Sequence, residues 1–132
     1  MVSIRRIIET CIYVADLDRS ERFYRDVIGL RLVQKNEGRD LFFAAGTSML
    51  MVFYAPETRK GGFLPPHGTE GSSHLAFEID PRDLDAWKRH LLDSAVSIER
   101  EVTWPHSQHR SIYIRDPEGN LVEFIARGVW PV

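Results

Sequence analysis

The stretch CIYVADLDRSERFYRDVIGL, residues 11–30, changes its hydrophobic period halfway along. Before Asp16 the apolar residues alternate. Ile12 and Val14 fall on one face, Cys11 and Tyr13 on the other, as in a half-buried strand. After it they recur at helical spacing through Phe23, Tyr24, Val27 and Ile28. The run stops at Gly29, a residue suited to a left-handed helix cap. Either Asp16 or Asp18 caps the helix, and Asp18 has Glu21 at capping-box spacing. Worked backwards, the strand spans Arg6 to Ala15 and puts Glu9 on the Cys11 face. Worked forwards, three strands are predicted at about 30–36, 40–45 and 48–54, the last two joined by a tight turn at Gly46-Thr47.

The order then repeats. Residues 73–80 alternate, with Leu75, Phe77 and Ile79 on one face and His74, Ala76 and Glu78 on the other. Asp80-Pro81 starts a helix that buries Leu84, Trp87, Leu91 and Ala95. Strands follow at about 97–103, 110–115 and 121–126, and Asp116-Pro117-Glu118-Gly119-Asn120 forms the turn between the last two. Each half therefore reads strand, helix, strand, strand, strand. Registering the halves on their first strands and last hairpins makes Glu9 equivalent to His74, and Met51 to Glu123. A repeat that neither half can bury alone implies two modules around one curved sheet. The segment 55–73 is rich in proline and glycine. It reads equally as a surface connection or as a loop folded over a site. His67, His106 and His109 are expected to be solvated loop histidines, and Cys11 a small packed side chain.

Composition narrows the classes. The 132 residues, 43% hydrophobic and 27% charged, suit one globular domain. A net charge of −2 offers no footprint for nucleic acid or an anionic membrane. No apolar run is long enough to span a bilayer. One cysteine rules out an intrachain disulfide and fits a cytoplasmic setting. The N-terminal residues lack the apolar core of a signal peptide.

The run 11–30, together with YIRDPEGNLVEF at 113–124, resembles the vicinal oxygen chelate superfamily, which includes glyoxalases, bleomycin-resistance proteins and extradiol dioxygenases. The resemblance covers almost the whole chain. It implies an α+β fold of two βαβββ modules forming a curved mixed sheet, a half-barrel cup. Module one would span about 5–55, a linker 56–72 and module two 73–127, within a single domain over 1–132. It also implies that metal ligands come from the first and last strands of each module. By that correspondence Glu9, His74 and Glu123 are the candidate ligands, with Glu9 where the family commonly carries histidine and Met51 where bacterial glyoxalase I carries glutamate. A hard divalent ion does not choose a thioether, so three protein ligands and open positions remain.

Two carboxylates and one imidazole suit Zn, Mn, Fe, Ni or Mg, and the sequence does not select among them. Glu123 and Tyr113 are the candidate catalytic residues; Tyr13, Met51, Phe53 and Tyr113 are the candidate substrate contacts. The leading expectation is a metal-dependent lyase, isomerase or thiol transferase acting on a small oxygen-chelating substrate. Dioxygenase chemistry is disfavoured by the single histidine, and glyoxalase I itself by Met51. The competing expectation is a metal-free ligand-binding protein of the bleomycin-resistance type, using the cup as an aromatic groove. The resemblance further implies a homodimer and a small-molecule partner.

Overall fold

Asp16 ends the first strand and starts the first helix. In the computed structural model, which describes residues 1–132, its carboxylate accepts the Arg19 backbone N–H at 3.0 Å. Asp16, not Asp18, is thus the cap, because it is the last extended residue before the helix. The chain divides into two compact units, residues 1–71 and 72–132.

The first unit runs β1 (Glu9–Val14), α1 (Leu17–Arg22), β2 (Arg31–Asn36), β3 (Asp40–Ala45), β4 (Ser48–Tyr54) and α2 (Ala55–Thr58). Its sheet has the order β1-β4-β3-β2, with β1 parallel to β4 and the other pairs antiparallel. α1 continues into a π-helical turn over Phe23–Val27, where the Ile28 N–H reaches back to the Phe23 carbonyl at 3.0 Å. In this wider turn the consecutive Phe23 and Tyr24 are both buried. They pack with Ile28 over Ile12, Val14, Leu41, Phe43, Leu50 and Val52, all of them buried, Ile12 and Val14 in keeping with the alternation. Gly29 at φ 85° ends the helix. The opposite face of this sheet carries Glu9, Cys11, Tyr13, Met51, Phe53 and Phe42, by strand parity and register.

The second unit runs β5 (His74–Ile79), α3 (Leu84–Asp93), β6 (Arg100–Thr103), β7 (Arg110–Arg115) and β8 (Leu121–Ala126), in sheet order β5-β8-β7-β6. Again the first and last strands are parallel and the rest antiparallel. Asp80 caps a short 3₁₀ turn, Pro81–Asp83, that leads into α3. Leu84 and Leu91 of α3 cover Leu75, Ile112, Ile114, Val122 and Phe124, and Trp87 lies 4.5 Å from the Phe124 ring.

Two expectations need correction here. α3 ends at Asp93, and Ala95 is exposed with φ 60°, so it is not part of the buried stripe. The Val96 N–H closes the helix end on the Leu91 carbonyl at 2.8 Å, which consumes residues that alternation assigns to β6. β6 accordingly begins at Arg100 rather than 97. Glycine is the usual residue at such a cap, and its absence hid the helix end. No helix is long and apolar enough to cross a membrane.

Candidate metal centre and substrate face

The turn before β8 builds the site. Gly119 at φ 84° lets residues 116–120 close, and the Asp116 side chain accepts the N–H groups of Glu118 and Asn120 at 2.9 and 2.8 Å. The Asn120 amide nitrogen donates back to Asp116, while its carbonyl oxygen accepts the Ser73 N–H at 2.7 Å. The residue ahead of His74 is therefore tied to the hairpin that carries Glu123.

His74 Nδ1 lies 3.0 Å from the Leu121 carbonyl oxygen. A carbonyl only accepts, so Nδ1 carries the proton and donates. In the neutral ring Nε2 then presents a lone pair, and it lies 3.3 Å from Glu123 Oε1. Two acceptors facing each other are relieved by a proton on either group or by a cation between them. Glu123 is 5% exposed, and its Oε2 is buried without any hydrogen-bond partner. A buried carboxylate oxygen left unpaired is costly. The orphaned Oε2, the Nε2 lone pair and the Nδ1 bond to a backbone carbonyl together match the donor set of a metal-binding histidine–carboxylate pair.

Tyr113 stacks on His74 with ring centres 6.3 Å apart. Burial, then the Glu123 charge and a hydrogen bond to Glu123, push its phenol up from 10 to about 12. It thus stays a proton donor at neutral pH. The stability linked to this shift is fully present below pH 10 and is lost as pH rises through about 12. A phenolate absorbance titration should show one tyrosine ionising near 12 that disappears in Tyr113→Phe. The alkaline decline in stability should be shallower in that variant; a phenol titrating at 10 would contradict this.

The other predicted residues lie in the first unit. Glu9 is exposed at the start of β1, in register with Met49, and forms no hydrogen bond or ion pair. No three His, Cys, Asp or Glu side chains are grouped so as to hold a metal ion. Of the three predicted ligands, then, His74 and Glu123 are brought together within the second unit, and Glu9 belongs to the first. Tyr13 is hydrogen-bonded through its hydroxyl to His67 Nδ1 at 2.7 Å, and His67 packs edge-on against Phe53 at 4.8 Å. Phe53 is 7% exposed. Met51 is half-buried and pairs with Cys11, which is exposed rather than packed. Partial burial of the sulfur, then the Glu9 charge, push the Cys11 thiol up, which keeps it protonated at neutral pH.

His67 is not a solvated loop histidine. Thr58 is buried; its hydroxyl donates to the His67 carbonyl at 2.6 Å, and its own carbonyl accepts the His67 N–H at 3.2 Å. These bonds fold the 59–67 loop back onto the face that carries Tyr13. His106 is also bonded, through Nε2 to the Val129 carbonyl, and it stacks on Trp130. The pairing of Thr58 with His67 is nine residues long and has no sequence signature, so alternation could not reveal it.

The registers align two comparable rows. In the second unit Ala76, Glu123, Tyr113 and Arg100 lie side by side across the sheet. In the first unit the equivalent row is Cys11, Met51, Phe42 and Gln34. Ionisable and proton-donating groups are concentrated in the row of the second unit, through Glu123, Tyr113 and Arg100.

A family model described as "Glyoxalase/Bleomycin resistance protein/Dioxygenase superfamily" matches residues 6–124. A crystal structure of lactoylglutathione lyase from Agrobacterium tumefaciens is 37% identical, with a TM-score of 0.91 over 96% of this chain and 97% of that one. Metallothiol transferase FosB from Shouchella clausii is 27% identical over 83% of this chain and 72% of its own length. Catechol-2,3-dioxygenase from Bacillus subtilis is 26% identical over 89% of this chain, which spans only 41% of that relative.

Proposed function

This chain belongs to the glyoxalase/bleomycin resistance protein/dioxygenase superfamily, and on that footing we propose that it is a divalent-metal-dependent enzyme acting on a small oxygen-chelating molecule. The reaction class is lyase, isomerase or thiol transfer. The similarity to proteins named lactoylglutathione lyase and metallothiol transferase supports that class. The observation that carries the reading is the His74–Glu123 pair, in which Nε2 lies 3.3 Å from Oε1 of a buried carboxylate whose Oε2 has no hydrogen-bond partner.

His74 Nε2 and Glu123 would hold the ion, with Glu9 proposed as a third ligand on its equivalence to His74 in the repeat. Such an ion supplies Lewis-acid polarisation of a substrate oxygen. The chain's own contributions are separate. The Leu121 carbonyl and the Ser73–Asn120 bond fix the His74 ring. Tyr113, held as a neutral phenol, offers a proton or hydrogen bond beside Glu123.

A second reading, a metal-free ligand-binding protein, is favoured by the apolar row Cys11–Met51–Phe42 flanked by Tyr13 and Phe53. One experiment separates the two. Protein purified without chelator and reloaded should hold a divalent ion near stoichiometrically, and His74→Ala should lose it. Uptake in the parent below about a tenth of an equivalent, where a site of this donor set should saturate, overturns the metal reading and leaves the binding-protein reading standing.

A further inference from the structure

The row Ala76–Glu123–Tyr113–Arg100 extends past the metal ligands to a guanidinium on β6. We propose that Arg100 recognises an oxyanion on the substrate, so that the molecule bound at this site carries a carboxylate or phosphate group at the end away from its chelating oxygens. The chelating end of this inference rests on the metal reading above; the anion end does not.

Three observations carry it. First, a cavity of about 400 Å³ opens on this face, lined by Glu99, Arg100, Val102, Tyr113, Arg115 and Leu121. It shares Tyr113 and Leu121 with the His74–Glu123 pair, and its volume is that of a small-ligand pocket. Second, the two cavity arginines differ in commitment. Arg115 is held by Glu99 Oε2 at 3.1 Å and by the Gly119 carbonyl at 3.0 Å. Arg110, at the other end of β7 and outside the cavity, is held by Glu101 and Asp85. Arg100 has neither a carboxylate nor a carbonyl partner, although a planar five-donor fork is built for one. Third, the fold does not require a cation there. The equivalent position in the first unit is Gln34, opposite Phe42 where Arg100 is opposite Tyr113.

Arg100 and Glu123 are two strand spacings apart, about 10 Å between backbones. The reach of a flexible arginine brings its head group to within a few atoms of a ligand chelated beside Glu123. Arg115, neutralised by Glu99, leaves Arg100 as the uncompensated positive charge of the cavity. A charge-assisted, bidentate bond to an oxyanion is the strong interaction available to it.

The test compares malate with 2-hydroxybutyrate. Both present the same α-hydroxycarboxylate to a metal, and only malate carries a second carboxylate. Calorimetry on the Mn²⁺-loaded protein at low salt should show malate binding about tenfold tighter or more. In Arg100→Gln, which installs the first unit's own residue, the preference should collapse towards unity, because malate weakens far more than 2-hydroxybutyrate. A parent that does not discriminate, or a variant that still does, overturns the inference while leaving metal binding intact. If the protein takes up neither Mn²⁺ nor any of the other candidate divalent ions, the metal reading fails instead, and inorganic phosphate titrated into the metal-free protein decides the anion end. Binding lost in Arg100→Gln supports it; binding that is absent or indifferent to Arg100 overturns it.

Discussion

Glu123→Gln is expected to lose about 100-fold or more in divalent-ion affinity, since even supporting residues of metal sites cost up to that much, and at the same time to stabilise the metal-free protein. The two effects have one cause. In the parent, Glu123 Oε1 faces His74 Nε2 at 3.3 Å and Oε2 is buried without a partner. Glutamine keeps the shape but supplies an N–H, which can donate to the Nε2 lone pair and end the opposition of two acceptors. Satisfying that contact should be worth about 1 kcal/mol, a rise of roughly 3–5 °C in the unfolding midpoint for a domain of this size. Excess divalent ion should reverse the order, because an ion present at about 100 times its Kd adds roughly 2.7 kcal/mol to the parent alone. Thermal unfolding with and without metal measures both. A variant that binds metal like the parent, or a parent whose midpoint ignores metal, would sink the prediction.

Phe124→Ala, one residue further along β8, should do the opposite. Phe124 is 1% exposed, with its ring 4.5 Å from Trp87 and 5.9 Å from Phe77. Emptying that volume should cost about 3–5 kcal/mol, a large share of the roughly 5–15 kcal/mol available to a domain. Denaturant unfolding should show a lower midpoint with an unchanged slope. The metal affinity of the molecules still folded should stay near the parent value, because Phe124 faces α3 and Glu123 faces the other side. A loss below about 1 kcal/mol would mean that the helix closes over the gap, as sites able to collapse do.

Much of this architecture is legible along the chain. The alternation of Ile12 and Val14 against Cys11 and Tyr13 is a local pattern, and the burial of the two sets follows it. The same holds for Leu75 and Ile79 against His74 and Glu78, and for the turn at 116–120, whose geometry depends on the Asp, Pro, Gly and Asn within it. The misreadings occur where a local preference is overridden. Ala95 takes a left-handed conformation that its side chain disfavours, so the helix and the following strand were both misjudged in length. Asp18 and Glu21 have capping-box spacing, but Asp16 is the residue at the strand–helix junction and takes the cap.

The repeat, the faces of the strands and the placing of His74 and Glu123 on β5 and β8 follow from the order of residues alone. Period and turn chemistry are short-range, and an alignment of two halves needs nothing more. Only the tertiary structure decided what those side chains do. The Leu121 carbonyl sets the protonated nitrogen of His74; burial leaves Glu123 Oε2 without a donor; Thr58 and Tyr13 hold His67 onto the sheet; and Arg100 stands opposite Tyr113 with no acid to meet it. Each of these depends on which residue lies across a strand pair or a folded loop. Register and loop closure bring together groups 9 to 54 positions apart, and no local pattern in the chain records them.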